Sequence, residues 1–183
     1  EQGPERIGVA ATRGVDELEP LLGTVFARFI EVGDGRASGT RRLNRRYFPS
    51  VAKRAISLAL RQHGSFALLM VDIDHFATIS QTLGQEAGDV VLAQVADVLA
   101  DNVRAGDFVF RVGDDQFLQL LVEAGDSTAL QVADGLRSRV AGLNLRTSGL
   151  ACTAVTVSIG VAVFDGHPDD QRLVDRAEQA LRQ

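Results

Sequence analysis

A single cysteine, Cys152, is present in the 183 residues, so no internal disulfide can form and a cysteine-based metal site is excluded. The cytoplasm is therefore the simplest expected compartment. Long apolar runs are missing as well. The most continuous, Phe66 to Val71, falls far short of the roughly 20 residues that cross a bilayer, and no membrane segment is expected. No signal-peptide pattern opens the chain, and a start at Glu1 without methionine leads us to expect a piece of something longer. Positive charge is not in excess: 19 Lys and Arg stand against 24 Asp and Glu, a net charge of −5. Such a chain lacks the basic surface that neutralises a phosphate backbone, so general nucleic-acid binding is not expected. A local basic group such as Arg41, Arg42, Arg45 and Arg46 can still attract a small nucleotide, although a solvated face is the plainer reading. His63, His75 and His167 have no ligand spacing and suit solvent-facing or capping positions. Ser158 has no histidine at a telling separation, which leaves a hydrolase triad unsupported.

What is present is the balance of a folded protein, 45% hydrophobic and 23% charged residues. Residues 1–14 read as a polar tail. Leu18, Leu22, Val25, Phe29 and Val32 recur at helical spacing, and a glycine-containing linker follows. We expect residues 1–39 to be a tail, helix and linker from an upstream module, and 40–183 to be the main domain. Within it, 49–62 has a helical pattern with proline near its start. Phe66–Ile73 is a continuous apolar run, the mark of a strand buried on both faces. A short helix over 75–82 and an amphipathic one over 87–102 follow, the latter carrying Val91, Val95, Val98 and Leu99. Strands over 108–112 and 117–122 flank Gly113-Asp114-Asp115, a hairpin signal in which Gly and Asp would supply positive φ. A helix over 128–140, an alternating strand over 155–164 and a helix over 169–182 complete the order. The expected fold is α+β: a ferredoxin-like, palm-type antiparallel sheet of four strands with helices on one face.

Two pairs of carboxylates stand at the strand ends. Asp72 and Asp74 close the buried run, and alternation puts both on one side of the strand. Asp114 and Asp115 sit in the hairpin turn. If the hairpin lies beside the first strand, Asp72 and Asp115 face each other and can hold Mg²⁺ against a nucleotide triphosphate. The plainer alternative is that Asp74 caps the following helix and that Asp114-Asp115 is ordinary turn chemistry.

These residues resemble a known family. Val71-Asp72-Ile73-Asp74-His75-Phe76 with Gly84 and Gly88-Asp89, then Arg111-Val112-Gly113-Asp114-Asp115-Gln116-Phe117, then Val157-Ser158-Ile159-Gly160-Val161-Ala162, resemble the successive blocks of the GGDEF domain, the diguanylate cyclase fold of bacterial cyclic di-GMP signalling. Leu43-Asn44-Arg45-Arg46 resembles the segment that opens the domain. Asp101-Asn102-Val103-Arg104 and Gly166-His167-Pro168-Asp169 look most like the cyclase domains of globin-coupled oxygen sensors. The resemblance implies that two domains meet as a homodimer, each holding one GTP. Each 3′-hydroxyl attacks the other's α-phosphate, and two pyrophosphates leave. It implies Asp72 and Asp115 as metal ligands with the Ile73 carbonyl assisting, Asp89 on guanine, Gly113 giving close access to phosphate, and an inhibitory cyclic di-GMP site at Arg104 and Asp107 of an RxxD motif. An ion pair at a helix end is the plainer reading of that motif.

The chain departs from the family at Ser80, where an Asn reading guanine is expected, at Asp114, where the second Gly belongs, and at Gln116, where Glu belongs. Ala37 replaces an Asp of the opening segment, Ala77 a Lys, and Gly135 the second arginine of the inhibitory site, with Arg137 nearby. A shorter reach to the base, an added negative side chain beside a polyanion and a lost charge predict an impaired catalyst. The expected function is a degenerate, regulatory domain that binds cyclic di-GMP, or GTP, under an upstream sensor. The alternatives are an active diguanylate cyclase and a structural dimerisation module.

Overall fold

A computed structural model describes residues 42–104, 106–145 and 154–183. The expected N-terminal helix and linker, with Ala37 and Arg41, and also Cys152, lie outside the described residues. All the described elements belong to one unit. They are β1 (Arg42–Asn44), α1 (Phe48–Gln62), β2 (Phe66–Ile73), α2 (Phe76–Leu83), α3 (Gln85–Asp101), β3 (Phe108–Arg111), β4 (Gln116–Val122), α4 (Asp126–Ala141), β5 (Val157–Val163) and α5 (Asp170–Leu181).

The sheet has five strands in the order β1-β3-β4-β2-β5. β3, β4, β2 and β5 form a run in which each strand is antiparallel to the next, which is the expected α+β sheet. β1 is the unexpected fifth strand, pairing parallel to β3. Three residues are too few to show a period of two, so sequence pattern could not mark it.

β2 is the central strand, and only Asp72 among its residues is less than fully buried. Its odd positions Ala67, Leu69, Val71 and Ile73 pack with Val91, Val95 and Leu99 of α3 and Ala129, Leu136 and Val140 of α4. Its even positions face the other way. Met70 lies in register with Leu118 and Gly160, and Leu118 in turn with Phe110. That face is covered by α1, where Phe48 meets Phe110 edge-on at 5.4 Å, and by α5, which lies over β5. Helices therefore cover both faces, which corrects the expectation of one. The reason was already in the sequence: a strand apolar at every position has two faces to bury. Each large side chain so buried contributes about 1.5–3 kcal/mol.

Gly160 sets how closely α5 lies on the sheet. A Cβ there would run into the Ala177 carbonyl oxygen and stand 2.6 Å from the Leu181 backbone nitrogen. Beyond β5, Asp165 accepts from the guanidinium groups of Arg172 (3.1 Å) and Arg176 (3.2 Å), and Arg176 also donates to the Val163 carbonyl at 2.9 Å. Among the described residues no helix is long and apolar enough to cross a membrane.

Candidate functional site

The sheet order carries the C-terminal end of β2 to the tip of the β3–β4 hairpin. Asp72 is in register with Gln116 on β4 and with Ser158 on β5. One residue on, the Ile73 amide donates to the Asp115 carbonyl at 3.2 Å. Asp72 and Asp115, 43 positions apart in the numbering, thus stand at one sheet edge. Burial and then the charge of Asp72 are the two largest causes that raise the Asp115 carboxyl above its ordinary value.

The hairpin tip is a tied turn. Val112 and Gly113 donate to the Gln116 carbonyl at 3.0 and 3.3 Å. Arg111 holds the other side, donating to the carbonyls of Gly113 (3.1 Å) and Asp114 (2.8 Å). None of Gly113, Asp114 and Asp115 has positive φ. The expectation of a positive-φ turn is corrected: with four residues, 112–115, between the strands, the chain reverses without left-handed backbone. Gly113 matters for room instead, because a Cβ there would lie 3.3 Å from the Gln116 Cβ. Gln116 in turn donates its side-chain amide to Asp72 at 2.7 Å. Asp114 is exposed at the tip.

Asp74 does not cap a helix. His75 holds the N-cap position of α2, with φ 56° and no side-chain capping bond. Asp74 accepts from the Thr156 hydroxyl at 2.6 Å and the Ser158 hydroxyl at 2.7 Å, while its amide donates to the Thr156 carbonyl at 3.0 Å. It latches the end of β2 to β5. Neither this latch nor the role of Arg111 was foreseen. Arg111 was detectable, since a guanidinium two and three residues from turn carbonyls is a local pattern. The Asp74 partners are 82 and 84 positions away.

Ser80 and Asp89 are on α2 and α3, joined through Gly84, whose φ of 93° makes the corner. Asp89 is exposed. The Ser80 hydroxyl is buried without a hydrogen-bond partner. It is wedged so tightly against Gly88 that a Cβ there would overlap it. The two residues expected at a guanine thus differ: one faces solvent and the other packs between helices.

Arg104 and Asp107 form a tight turn before β3. Asp107 is 5% exposed. One oxygen accepts from the Arg104 amide at 3.0 Å and the other from the Val122 amide at 2.9 Å. Arg104 is exposed. The carboxylate therefore shapes the turn that displays the arginine. Gly135 and Arg137 lie on α4, where Arg137 pairs with Asp134 at 3.0 Å.

No cluster of three or more His, Cys, Asp or Glu side chains gathers for a metal among the described residues. Two converging carboxylates at a strand end nonetheless fit Mg²⁺, which commonly takes one or two carboxylates and fills its octahedron with water and phosphate oxygens. Asp72 and Asp115 would hold it, with the Ile73 carbonyl adjoining.

Comparison with known proteins bears on the family and the fold. The family model for the diguanylate cyclase GGDEF domain matches residues 38–183. Diguanylate cyclase DosC of Escherichia coli K12 is 38% identical over 167 residues, covering 91% of this chain and 36% of its own length. Response regulator PleD of Caulobacter vibrioides is 33% identical over 142 residues, covering 76% of this chain and 31% of its own. The chain thus spans about a third of the curated relatives it matches. Among solved structures, the GGDEF domain of DgcB from Caulobacter crescentus in complex with c-di-GMP superposes with a TM-score of 0.73 at 26% identity, covering 81% of this chain and 91% of that one. Diguanylate cyclase SiaD of Pseudomonas aeruginosa, solved with its activator SiaC, gives 0.76 at 27%, covering 91% and 64%. A carboxylate-ended central strand, a signature turn beside it and a family match over the whole described unit lead to one conclusion: the chain belongs to the diguanylate cyclase GGDEF family of cyclic di-GMP signalling.

Proposed function

We propose that this GGDEF domain is catalytically impaired and serves as a regulatory module that binds cyclic di-GMP at the Arg104–Asp107 turn. The observation that carries the impairment is the Gln116 amide bonded to Asp72 at 2.7 Å, a neutral donor on a carboxylate the reaction needs for a cation. Asp114 is a second carboxylate in the turn, and its charge adds to that of Asp72 on Asp115, beside where a triphosphate would lie. Ser80, wedged against Gly88, presents no amide to a base. When bound, Mg²⁺ would neutralise the triphosphate and favour in-line attack by a hydroxyl. Asp72 and Asp115 hold that position, Arg111 fixes the turn, and the Asp74 latch fixes the strand end.

The receptor part of the reading is supported by the displayed Arg104. A guanidinium forks onto phosphate or guanine oxygens, and Asp107 holds its turn from within. The reading includes a homodimer under an upstream sensor as the arrangement in which such binding would regulate.

Incubation of the chain with GTP and Mg²⁺ tests the first part. Cyclic di-GMP should form on the order of 100-fold more slowly than in the double variant Asp114→Gly, Gln116→Glu. Equal rates would overturn the impairment. Calorimetry with cyclic di-GMP tests the second part, with binding expected in the parent chain and lost in Arg104→Ala. No heat up to high-micromolar ligand would defeat it. The second reading, an active cyclase, is favoured by the retained Asp72–Asp115 pair and by relatives named diguanylate cyclases. Product that vanishes in Asp72→Ala would support it.

A further inference from the structure

We infer that Gln116 is a built-in competitor for the cation position at Asp72: its side-chain amide occupies the carboxylate oxygen a divalent ion would take, and loading requires it to let go. This rests on reading Asp72 and Asp115 as the cation pair. An ionised carboxylate only accepts hydrogen bonds, so the amide nitrogen, not the oxygen, must face it. The bond is 2.7 Å long and partly buried, where a hydrogen bond to a charged group is stronger than in water. It is also built in by register. Gln116 opposes Asp72 across the β2–β4 ladder, so the side chain spans one inter-strand gap. The neighbouring turn cannot easily drift away, since Arg111 holds the carbonyls of Gly113 and Asp114. The missing side chain at Gly113 leaves the room in which Gln116 lies, 3.4 Å from its amide oxygen to where a Cβ would stand.

The position is therefore a switch in sign. An acid there is repelled by Asp72 and adds its charge to any cation, whereas an amide satisfies Asp72 and competes with the ion. The domain is expected to admit a divalent ion reluctantly even with both carboxylates in place.

Mn²⁺ titrated alone into the full chain tests this, read by calorimetry and by loss of the free-ion paramagnetic resonance signal. Gln116→Met keeps the length and removes the donor without adding charge. It should bind Mn²⁺ about tenfold more tightly than the parent, equivalent to about 1.4 kcal/mol. Gln116→Ala, which needs no repacking of a long side chain, should move the same way, Gln116→Glu should bind tighter still, and Asp72→Ala should lose the site. Unchanged or weaker binding in both Met and Ala variants, with Gln116→Glu binding well, overturns the competitor and leaves the cation pair standing. No Mn²⁺ binding in any variant overturns both.

Discussion

Gln119 is the residue least suited to its surroundings. It is fully buried, and neither end of its amide has a hydrogen-bond partner. It lies in register with Leu69 on one side and Val109 on the other, on the face covered by α3 and α4. A buried, unpaired amide costs about 1–3 kcal/mol, so Gln119→Leu is expected to stabilise the domain by that order, read as a higher urea midpoint at unchanged slope. Asp107 is the converse case. Its two oxygens satisfy two backbone amides, and Asp107→Ala should cost about 1–3 kcal/mol by the same measurement. Asp115 shows the burden of the site itself. Its carboxyl is raised by burial and by Asp72, so the folded state holds that proton more tightly than the unfolded one does. Its contribution is present at low pH and is lost as pH rises through the raised value. Asp115→Asn is thus expected to raise the melting temperature at neutral pH in EDTA, and a lower one would refute the argument.

At the scale of elements, α5 is held at two places. Near its C-terminus it lies on Gly160. Gly160→Ala would press on backbone atoms that cannot rotate away, and a loss of about 1–3 kcal/mol is expected, as in other overpacked sites. Near its N-terminus, α5 is tied through Arg172 and Arg176 to Asp165. The Asp165 carboxyl is lowered from its ordinary 3.8, first by the His167 amide and then by the two guanidinium groups. A lowered acid contributes stability above its unfolded value and loses it as pH falls through the folded one. Melting curves between about pH 2 and pH 6 should therefore show a shallower acid limb in Asp165→Asn. An unchanged limb would mean that the clamp does not matter. Most element boundaries were legible in the sequence within two residues, β2 exactly, because amphipathic and apolar periods are written locally. β1 was not legible, because three residues show no period; the second helical layer was written in the all-apolar run of β2, although the four-strand reading placed helices on one face only.

For the whole molecule, the matched family unit begins at residue 38, and the described elements share one sheet with helices on both faces. A chain of residues 38–183 is expected to unfold in one cooperative transition at the urea midpoint of the full chain. A second transition, or a large shift, would show that the preceding residues contribute to its core.

Sequence alone determined the order and kind of the elements other than β1, the family, and the departures at Ser80, Asp114 and Gln116. Each of these is stated by residue identity and short-range spacing. Tertiary structure alone decided that Asp72 meets the hairpin tip, that Gln116 donates to it, that Asp74 latches onto Thr156 and Ser158, and that Asp107 turns inward. The partners of Asp72 and Asp74, namely Gln116, Thr156 and Ser158, stand 44 to 84 positions away. Only strand order and register bring them together, because hydrogen bonds reach about 3 Å and carry no trace along the chain.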